Sequence, residues 1–220
     1  YKKTINWNKR EDELKKLLDK HRSKNDNWDV IVPSSGGKDS GYVAHKLKYE
    51  YAMNPLTVTW SPLEYTEIGW QNLQSSFDSG LTNILFTPNK KMQTKLARLC
   101  FEELGDAFHV FVLGQVSFPF HIALKMGVKL VFYGENGEAE YSGDPKFFDK
   151  PFKPISEWKD QYFKGNNFID LIDYGIKNKN YLTKEDINDA DLKYYSPPKV
   201  EDLEKAGIEG KSFFSYYNKW

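Results

Sequence analysis

Residues 28–40 read WDVIVPSSGGKDS, and this stretch decides the fold. Its first part, from Trp28 to Val32, is a short apolar run rich in β-branched residues, which predicts a buried strand. Small polar residues follow from Ser34 to Ser40, and a helical pattern begins at Gly41. A strand that leads through a glycine-containing loop into a helix is typical of α/β proteins.

The same alternation continues along the chain. Further strands are predicted over 56–60, 84–86 and 129–133, and helices over 7–21, 41–49, 68–77, 92–104 and 110–126. Alternating strands and helices predict a Rossmann-like parallel sheet with helices on both faces. Ligands of such sheets bind at the carboxyl ends of the strands. The candidate sites therefore lie in the loops 33–40, 60–64, 87–89 and 134–140.

Residues 146–220 differ in character, because aromatic residues are spread among lysines and prolines without sustained periodicity. We expect residues 1–145 to form the α/β domain, with an N-terminal helix inside residues 1–25. Residues 146–220 are expected to form an irregular, aromatic-rich extension packed on it, with a short helix near Val200 to Ala206. The chain begins at Tyr1 rather than Met and ends at Trp220 among aromatics, so we expect a trimmed part of a longer protein.

The composition excludes several functional classes. There are 31 Lys and Arg residues and 31 Asp and Glu residues, whereas nucleic-acid binders carry a basic excess. Aromatic residues make up 16% of the chain, which argues against disorder, and a single cysteine excludes a disulfide scaffold. The sequence has no long apolar run and no recognisable signal peptide. We therefore expect a cytoplasmic protein with no nucleic-acid partner and no membrane span.

The loop from Ser34 to Ser40 has the composition of an anion-binding cradle. Its backbone N–H groups and the positive end of the following helix would face a bound oxyanion. The two glycines let the backbone bend and approach closely, and the lysine adds a mobile positive charge. The candidate phosphate-binding residues are Ser34, Ser35, Gly36, Gly37, Lys38, Asp39 and Ser40.

This cradle differs from the two commonest phosphate loops. A Walker A loop has Ser or Thr directly after its lysine, where this chain has Asp39, and the pattern G-x-G-x-x-G is absent. A carboxylate inside a phosphate cradle repels the ligand unless a divalent cation lies between them. Asp39 therefore predicts Mg²⁺, bridged to the protein through phosphate oxygens.

A second unusual loop follows the strand predicted over 129–133. Residues 134–144 read GENGEAEYSGD and contain four carboxylates within ten residues. One interpretation is a solvated acidic loop. The other places one or two carboxylates opposite the cradle, where they would hold Mg²⁺, orient a sugar hydroxyl or accept a proton from incoming ammonia. The candidate binding residues are Gly134 and Asn136, and Glu135 and Glu138 join Lys38 and Asp39 as candidate catalytic residues.

Four other residues are weaker candidates. Cys100 lies on the apolar stripe of a predicted helix, which favours a core position over sulfur transfer. His45 is expected on a helix surface, and His109 and His121 flank a helix that would pass near the site. The spacing of Cys and His residues in this sequence does not indicate a zinc site.

The string SGGKDS at 35–40, after an apolar strand, resembles the pyrophosphatase loop of the PP-loop ATP pyrophosphatases. These enzymes form the adenine nucleotide alpha-hydrolase-like (HUP) superfamily. The resemblance implies a fold of that class, with residues 1–145 as the ATP-binding domain. It also implies that ATP, bound with Mg²⁺, is split between its α- and β-phosphates. Trp60, at the end of the second predicted strand, then has two open interpretations, contact with adenine or core packing.

A longer set of strings resembles the N-acetyl sugar amidotransferases of bacterial surface-polysaccharide (lipopolysaccharide) and flagellin-glycan pathways. The strings are VPSSGGKDS at 32–40, NPLTVTW at 54–60, FEELGD at 101–106, GQ at 114–115 with FP at 118–119, GENGEAEYSGD at 134–144, and SYYNKW at 215–220. The resemblance therefore extends over nearly the whole chain.

This second resemblance implies a specific reaction. ATP would activate the acetamido group of a nucleotide-linked sugar as an adenylate, and ammonia would displace AMP to leave an acetamidino group. The family also implies a separate glutaminase subunit that supplies the ammonia, a barrel-shaped cyclase-like partner, and a cysteine-rich zinc-binding segment before residue 1. Two alternatives stay open: a PP-loop tRNA thiolase or other ATP-pyrophosphatase synthetase, and a non-catalytic adenine-nucleotide-binding domain.

Overall fold

The computed structural model describes residues 5–135, 137, 150–151 and 168–217. Its helices are α1 (Trp7–His21), α2 (Lys38–His45), α3 (Glu67–Asp78), α4 (Lys90–Leu104), α5 (His109–Met126), α6 (Phe168–Asn178), α7 (Asp189–Leu192) and α8 (Val200–Ala206). Its strands are β1 (Val30–Pro33), β2 (Pro55–Trp60), β3 (Thr82–Phe86), β4 (Leu130–Tyr133) and β5 (Glu209–Ser212). A π-helical turn over Lys46–Glu50 extends α2, and short 3₁₀ turns occupy Lys184–Asp186, Lys193–Tyr195 and Phe213–Ser215.

The described strands form one parallel sheet in the order β3-β2-β1-β4-β5. In the register, Ile31 lies opposite Leu56 on one side and opposite Val131 on the other. The chain moves outward from β1 to β3 and then returns to the far side of β1 with β4, so the strand order reverses between β1 and β4. The sheet and its flanking helices confirm the predicted α/β class and agree with a Rossmann-like architecture.

The central strands are buried on both faces of the sheet. Ile31 and Val131 pack into a core with α4 and α5, whereas Val30 and Val32 pack into a second core with α1 and α2. Successive side chains of a strand point to opposite faces, so a strand covered on both sides is apolar throughout. This explains why β1 is a continuous apolar run in the sequence.

The described C-terminal residues correct one prediction. The sequence predicts an irregular extension over 146–220, but residues 168–217 contain three helices and the fifth strand. Phe168, Tyr195 and Leu203 are buried in the same core as α4 and α5. The strand β5 has the sequence EGKS, which lacks any apolar period, and it forms by backbone pairing with β4. The helix predicted near Val200 to Ala206 is confirmed as α8.

No single helix among the described residues has both the length and the apolar composition needed to cross a membrane. Among the described helices, the pair α4 and α5 taken together satisfies those two criteria, and the two are bent by 118° relative to each other. In this structure α5 belongs to the core, where Leu113, Phe118 and Phe120 are buried.

An ion cluster joins α1 to the edge strand β5. The carboxylate of Glu209 accepts hydrogen bonds from Lys20 Nζ at 2.7 Å and His21 Nε2 at 2.7 Å, and it pairs with Lys211 Nζ at 3.0 Å. Burial raises the pKa of the Glu209 carboxyl, but these three hydrogen bonds outweigh burial and hold the pKa at about 2. The cluster therefore favours the ionised carboxylate in the folded state.

We expect this cluster to make stability depend on pH. Because the folded pKa of Glu209 lies below its ordinary value of 4.5, its contribution is present above about pH 4.5 and is lost as the pH falls toward 2. Burial also lowers the pKa of His21, so protonation of the unfolded chain below about pH 6.5 acts in the same direction. Glu209→Gln should lower the midpoint of urea unfolding at pH 7 and flatten its decline between pH 4.5 and 2. Parallel pH dependences for the two proteins would contradict this expectation.

Candidate functional site

The loop after β1 is held in shape by its own hydroxyl groups. The amide of Ser34 donates to the carbonyl of Val58 at 2.9 Å, which continues the pairing of β1 with β2 by one residue. The Ser34 and Ser40 hydroxyls lie 3.3 Å apart, and Ser40 Oγ donates to the carbonyl of Gly37 at 3.2 Å. The amides of Gly36 and Gly37 donate to the hydroxyls of Ser34 and Ser35, so these bonds together fix the backbone of the loop.

Gly36 is the position in this loop that requires glycine. Its φ angle is +79°, in the left-handed region that other residues rarely adopt. A Cβ atom at this position would lie 3.0 Å from both the backbone nitrogen and the Cα of Leu73 in α3. The loop therefore rests directly on the backbone of α3.

The first turn of α2 faces the loop and carries no side-chain cap. Helix α2 begins after Gly37, whereas α1, α3 and α4 are capped by the side chains of Asn6, Thr66 and Asn89. An uncapped first turn presents backbone N–H groups and the positive end of the helix dipole. In this turn Lys38 Nζ lies 2.8 Å from Asp39 Oδ1, with 73% of the lysine side chain exposed.

The loop after β4 begins at the same level as the cradle and contacts it. The pairing of Ile31 with Val131 brings the carboxyl ends of β1 and β4 side by side. A Cβ atom at Gly134 would lie 3.6 Å from Val43 Cγ2 and 3.7 Å from the carbonyl carbon of Asp39, both in α2. This is the point where the strand order reverses, and parallel α/β sheets bind ligands in the crevice formed there.

Residues after β5 pack against the start of the loop after β4, a contact that sequence reasoning did not predict. The amide of Phe214 donates to the carbonyl of Gly134 at 3.0 Å, and its ring lies 6.2 Å from the ring of Tyr42 in α2. A Cβ at Gly134 would lie 3.3 Å from the Phe214 ring. The aromatic residues near the end of the chain are the feature of the sequence that could have indicated this contact.

Most of the predicted site residues come together at the reversal point. The structure places the predicted cradle over 34–40 and the residues Gly134 and Glu135 at the carboxyl edge of β1 and β4, with Glu135 half-buried. Helix α2 begins at Lys38, three residues before the predicted start, so Lys38, Asp39 and Ser40 belong to its first turn. Asn136 and Glu138 lie outside the described residues, as do Glu140 and Asp144.

The structure places Trp60 in the core and not in the crevice. Its ring is 4% exposed and stacks on Phe86 at 5.1 Å, with Tyr195 edge-on at 5.0 Å. The indole also lies against the backbone of α5, where a Cβ atom at Gly114 would come within 2.1 Å of it. Of the two interpretations of Trp60, core packing is therefore correct, and we do not assign it an adenine contact.

The weaker candidates are explained by packing. Cys100 is fully buried, which agrees with its predicted core position. His45 is exposed on α2 and stacks near Tyr49, and His109 is buried at the start of α5. His121 Nε2 lies 2.8 Å from the carbonyl of Ser196, and burial lowers the pKa of its ring.

Asp39 is a described carboxylate at this edge of the sheet that suits a cation shared with phosphate oxygens. Within the described residues, no group of three His, Cys, Asp or Glu side chains is arranged to hold a metal ion. Asp39 stands in the first turn of α2, beside the uncapped N–H groups. Mg²⁺ commonly binds through one or two carboxylates together with substrate phosphates, and a single carboxylate at this place suits that arrangement.

No family model matches this chain, and no curated protein gives a significant match to it.

Proposed function

We propose that this protein is an ATP-dependent, AMP-forming amidotransferase of the PP-loop ATP pyrophosphatase superfamily. It would convert the acetamido group of a nucleotide-linked sugar into an acetamidino group. The observation that supports this proposal most is the position of the SGGKDS loop. It lies at the reversal point of a parallel sheet, over an uncapped helix start and in contact with the loop that carries Glu135.

The chemistry of the cradle suits the triphosphate of ATP. The loop amides and the first turn of α2 would bind phosphate oxygens, while Lys38 is exposed and long enough to follow the leaving pyrophosphate. Asp39 would hold Mg²⁺, which when bound neutralises charge on the phosphates. In the ligand-free protein Lys38 and Asp39 form an ion pair, so their two charges balance each other.

The proposed reaction balances in two steps. The amide oxygen of the substrate attacks the α-phosphorus of ATP, and the bond to the β-phosphate breaks to release pyrophosphate. Ammonia then adds to the amide carbon, and the C–O bond breaks to release AMP, which carries away the original amide oxygen. An amide oxygen is a poor leaving group, and adenylation corrects that fault. The positive charge of the cradle stabilises the pyrophosphate as it departs.

Glu135 would move protons in the second step. Addition of ammonia requires that the nitrogen lose a proton, and a carboxylate in the loop that contacts the cradle would be a suitable acceptor. Glu138 would share this task. In the cell the ammonia would come from a cytoplasmic glutaminase subunit, working with a barrel-shaped partner, and the zero net charge agrees with a small-molecule substrate.

An isotope experiment tests the reaction directly. The protein is incubated with MgATP, ammonium and a panel of nucleotide-linked N-acetyl sugars whose acetyl oxygen is ¹⁸O. We expect AMP and pyrophosphate in equal amounts, with the label in AMP. Label that stays in the sugar, or formation of ADP, would overturn the proposal. Tight ATP binding without turnover would favour a nucleotide-binding domain, and turnover that requires tRNA would favour a thiolase.

The same assay tests Asp39. We expect Asp39→Asn to lower the rate of pyrophosphate formation at least tenfold at saturating ATP, because the amide holds Mg²⁺ weakly. A higher Mg²⁺ concentration should restore part of that rate. Asp19→Asn removes a carboxylate in α1 whose side chain is 71% exposed and lies outside the cradle, so it serves as the control and should keep full activity. Full activity of Asp39→Asn would remove Asp39 from the mechanism.

A further inference from the structure

Helix α3 contacts the cradle at Leu73 and carries an exposed aromatic side chain, Trp70, three residues from that contact. The cradle rests on α3 at Leu73, where a Cβ on Gly36 would lie 3.0 Å from the backbone. Trp70 precedes Leu73 by three residues, which in an α-helix places it within about 60° of the same face and less than one turn away. Helix α3 starts after β2, so Trp70 lies toward the carboxyl edge of the sheet.

The ring of Trp70 is exposed and held from one side. Its residue is 43% exposed, which is high for a large aromatic side chain in a folded domain. Tyr65, in the loop after β2, supports it edge-on with ring centroids 5.4 Å apart. Part of the indole is therefore open to solvent, and Tyr65 supports the ring from one side.

The charges around Trp70 select the part of a ligand that binds there. The cradle presents the uncapped N–H groups of α2 and the side chain of Lys38, whereas Glu67 stands in the first turn of α3, and Glu64 precedes that helix and pairs with Lys90 Nζ at 3.5 Å. Phosphates are attracted to the first place and repelled from the second. A flat, uncharged, aromatic group attached to those phosphates would suit the open ring of Trp70, since stacking on an aromatic face requires no charge.

We infer that Trp70 forms the binding face for the nucleobase of the nucleotide whose phosphates bind in the Ser34–Ser40 cradle. This inference rests on the proposed function, because it takes the ligand to be a nucleoside triphosphate. In this arrangement the nucleobase binds on the β2 side of the cradle, and the second substrate binds on the side formed by Glu135 and Phe214.

Binding measurements with two ligands test the inference. The ligands are a non-hydrolysable ATP analogue and inorganic pyrophosphate, each with Mg²⁺, titrated by calorimetry into the wild-type protein and its variants. Stacking of a base on an aromatic side chain accounts for about 5- to 150-fold in affinity. We therefore expect Trp70→Ala to weaken binding of the ATP analogue by that factor and to leave binding of pyrophosphate unchanged. Trp70→Phe should retain most of the affinity for the ATP analogue.

Ile68→Ala is the matched control. Ile68 is 63% exposed on the same turn of α3, but it lies about 140° around the helix from Leu73. It should therefore change neither affinity. Equal affinity of wild type and Trp70→Ala for the ATP analogue would overturn the inference, as would an equal loss for pyrophosphate, which would indicate damage to the cradle. Failure to bind either ligand at all would overturn the proposed function itself.

Discussion

Gly114→Ala should destabilise the fold by at least about 3 kcal/mol, at the upper end of the usual cost of overpacking a core. A Cβ atom at this position in α5 would lie 2.1 to 2.5 Å from three atoms of the Trp60 indole. The indole cannot move away, because Phe86, Phe118 and Tyr195 pack around it with ring centroids 5.0 to 5.5 Å away. For a chain of this length the expected fall in melting temperature is on the order of 6–12 °C.

Two other glycines provide a graded control for this measurement. A Cβ at Gly41 in α2 would have nothing within 4 Å, so Gly41→Ala should raise stability by about 0.5–1 kcal/mol through helix propensity. A Cβ at Gly175 would meet the terminal methyl groups of Leu99 and Leu182 at 2.7 and 2.9 Å, and such side chains move more easily than an indole. The loss for Gly175→Ala should therefore fall between the other two. Equal stabilities for the alanine variants at 41 and 114 would contradict the packing described for Trp60.

A double-mutant cycle separates the steric clash between a Cβ at Gly114 and the Trp60 indole from the effect of alanine on the flexibility of α5. Trp60→Leu removes the indole atoms that a Cβ at Gly114 would meet, and by itself it should destabilise the core by leaving a cavity. In the Trp60→Leu background, Gly114→Ala should cost at least about 1 kcal/mol less than in the wild type. Additive effects would show that the two residues do not compete for the same space.

The central part of the fold is predictable because its signals are local. The strand β1 is covered on both faces, so it appears as an apolar run, and the cradle follows it directly in the sequence. A helix after such a loop has its positive end at the loop by geometry alone. The α/β class and the position of the cradle therefore follow from one short stretch of residues.

Contacts between distant parts of the chain are not predictable in this way. Trp60 ends a strand at the edge where ligands bind, and its sequence neighbours fit an adenine contact as well as core packing. The contact that decides between them is made by Gly114, a residue of a different element whose missing side chain leaves room for the indole. A glycine inside a helix does not reveal in sequence which side chain occupies that room.

The strand β5 fails prediction for a different physical reason. Its four residues are half-buried and polar or glycine, and Glu209 and Lys211 take part in the ion cluster with α1. Backbone pairing with β4 stabilises this strand without an apolar pattern. The consequence for the site is direct, because the turn after β5 brings Phe214 against Gly134.

Gly36→Ala should abolish nucleotide binding while the rest of the domain stays folded. Alanine at a φ of +79° costs about 1–2 kcal/mol, and its Cβ would also press on the nitrogen and Cα of Leu73 at 3.0 Å. Backbone atoms of a helix do not give way as the end of a side chain does. The loop must therefore lift away from α3, and the amides that we propose to bind phosphates would lose their common alignment.

Calorimetry with inorganic pyrophosphate and Mg²⁺ measures this loss at the cradle itself, independently of any acceptor. We expect no detectable binding to Gly36→Ala, and only a moderate loss in Gly37→Ala, whose φ is −75° and whose Cβ would meet only the rotatable hydroxyl of Ser35 at 3.1 Å. Far-ultraviolet circular dichroism confirms that each variant is folded. Because the two glycines are adjacent in one loop, a general loss of flexibility would affect both alike. Wild-type affinity in Gly36→Ala would show that the left-handed turn over α3 does not position the phosphates.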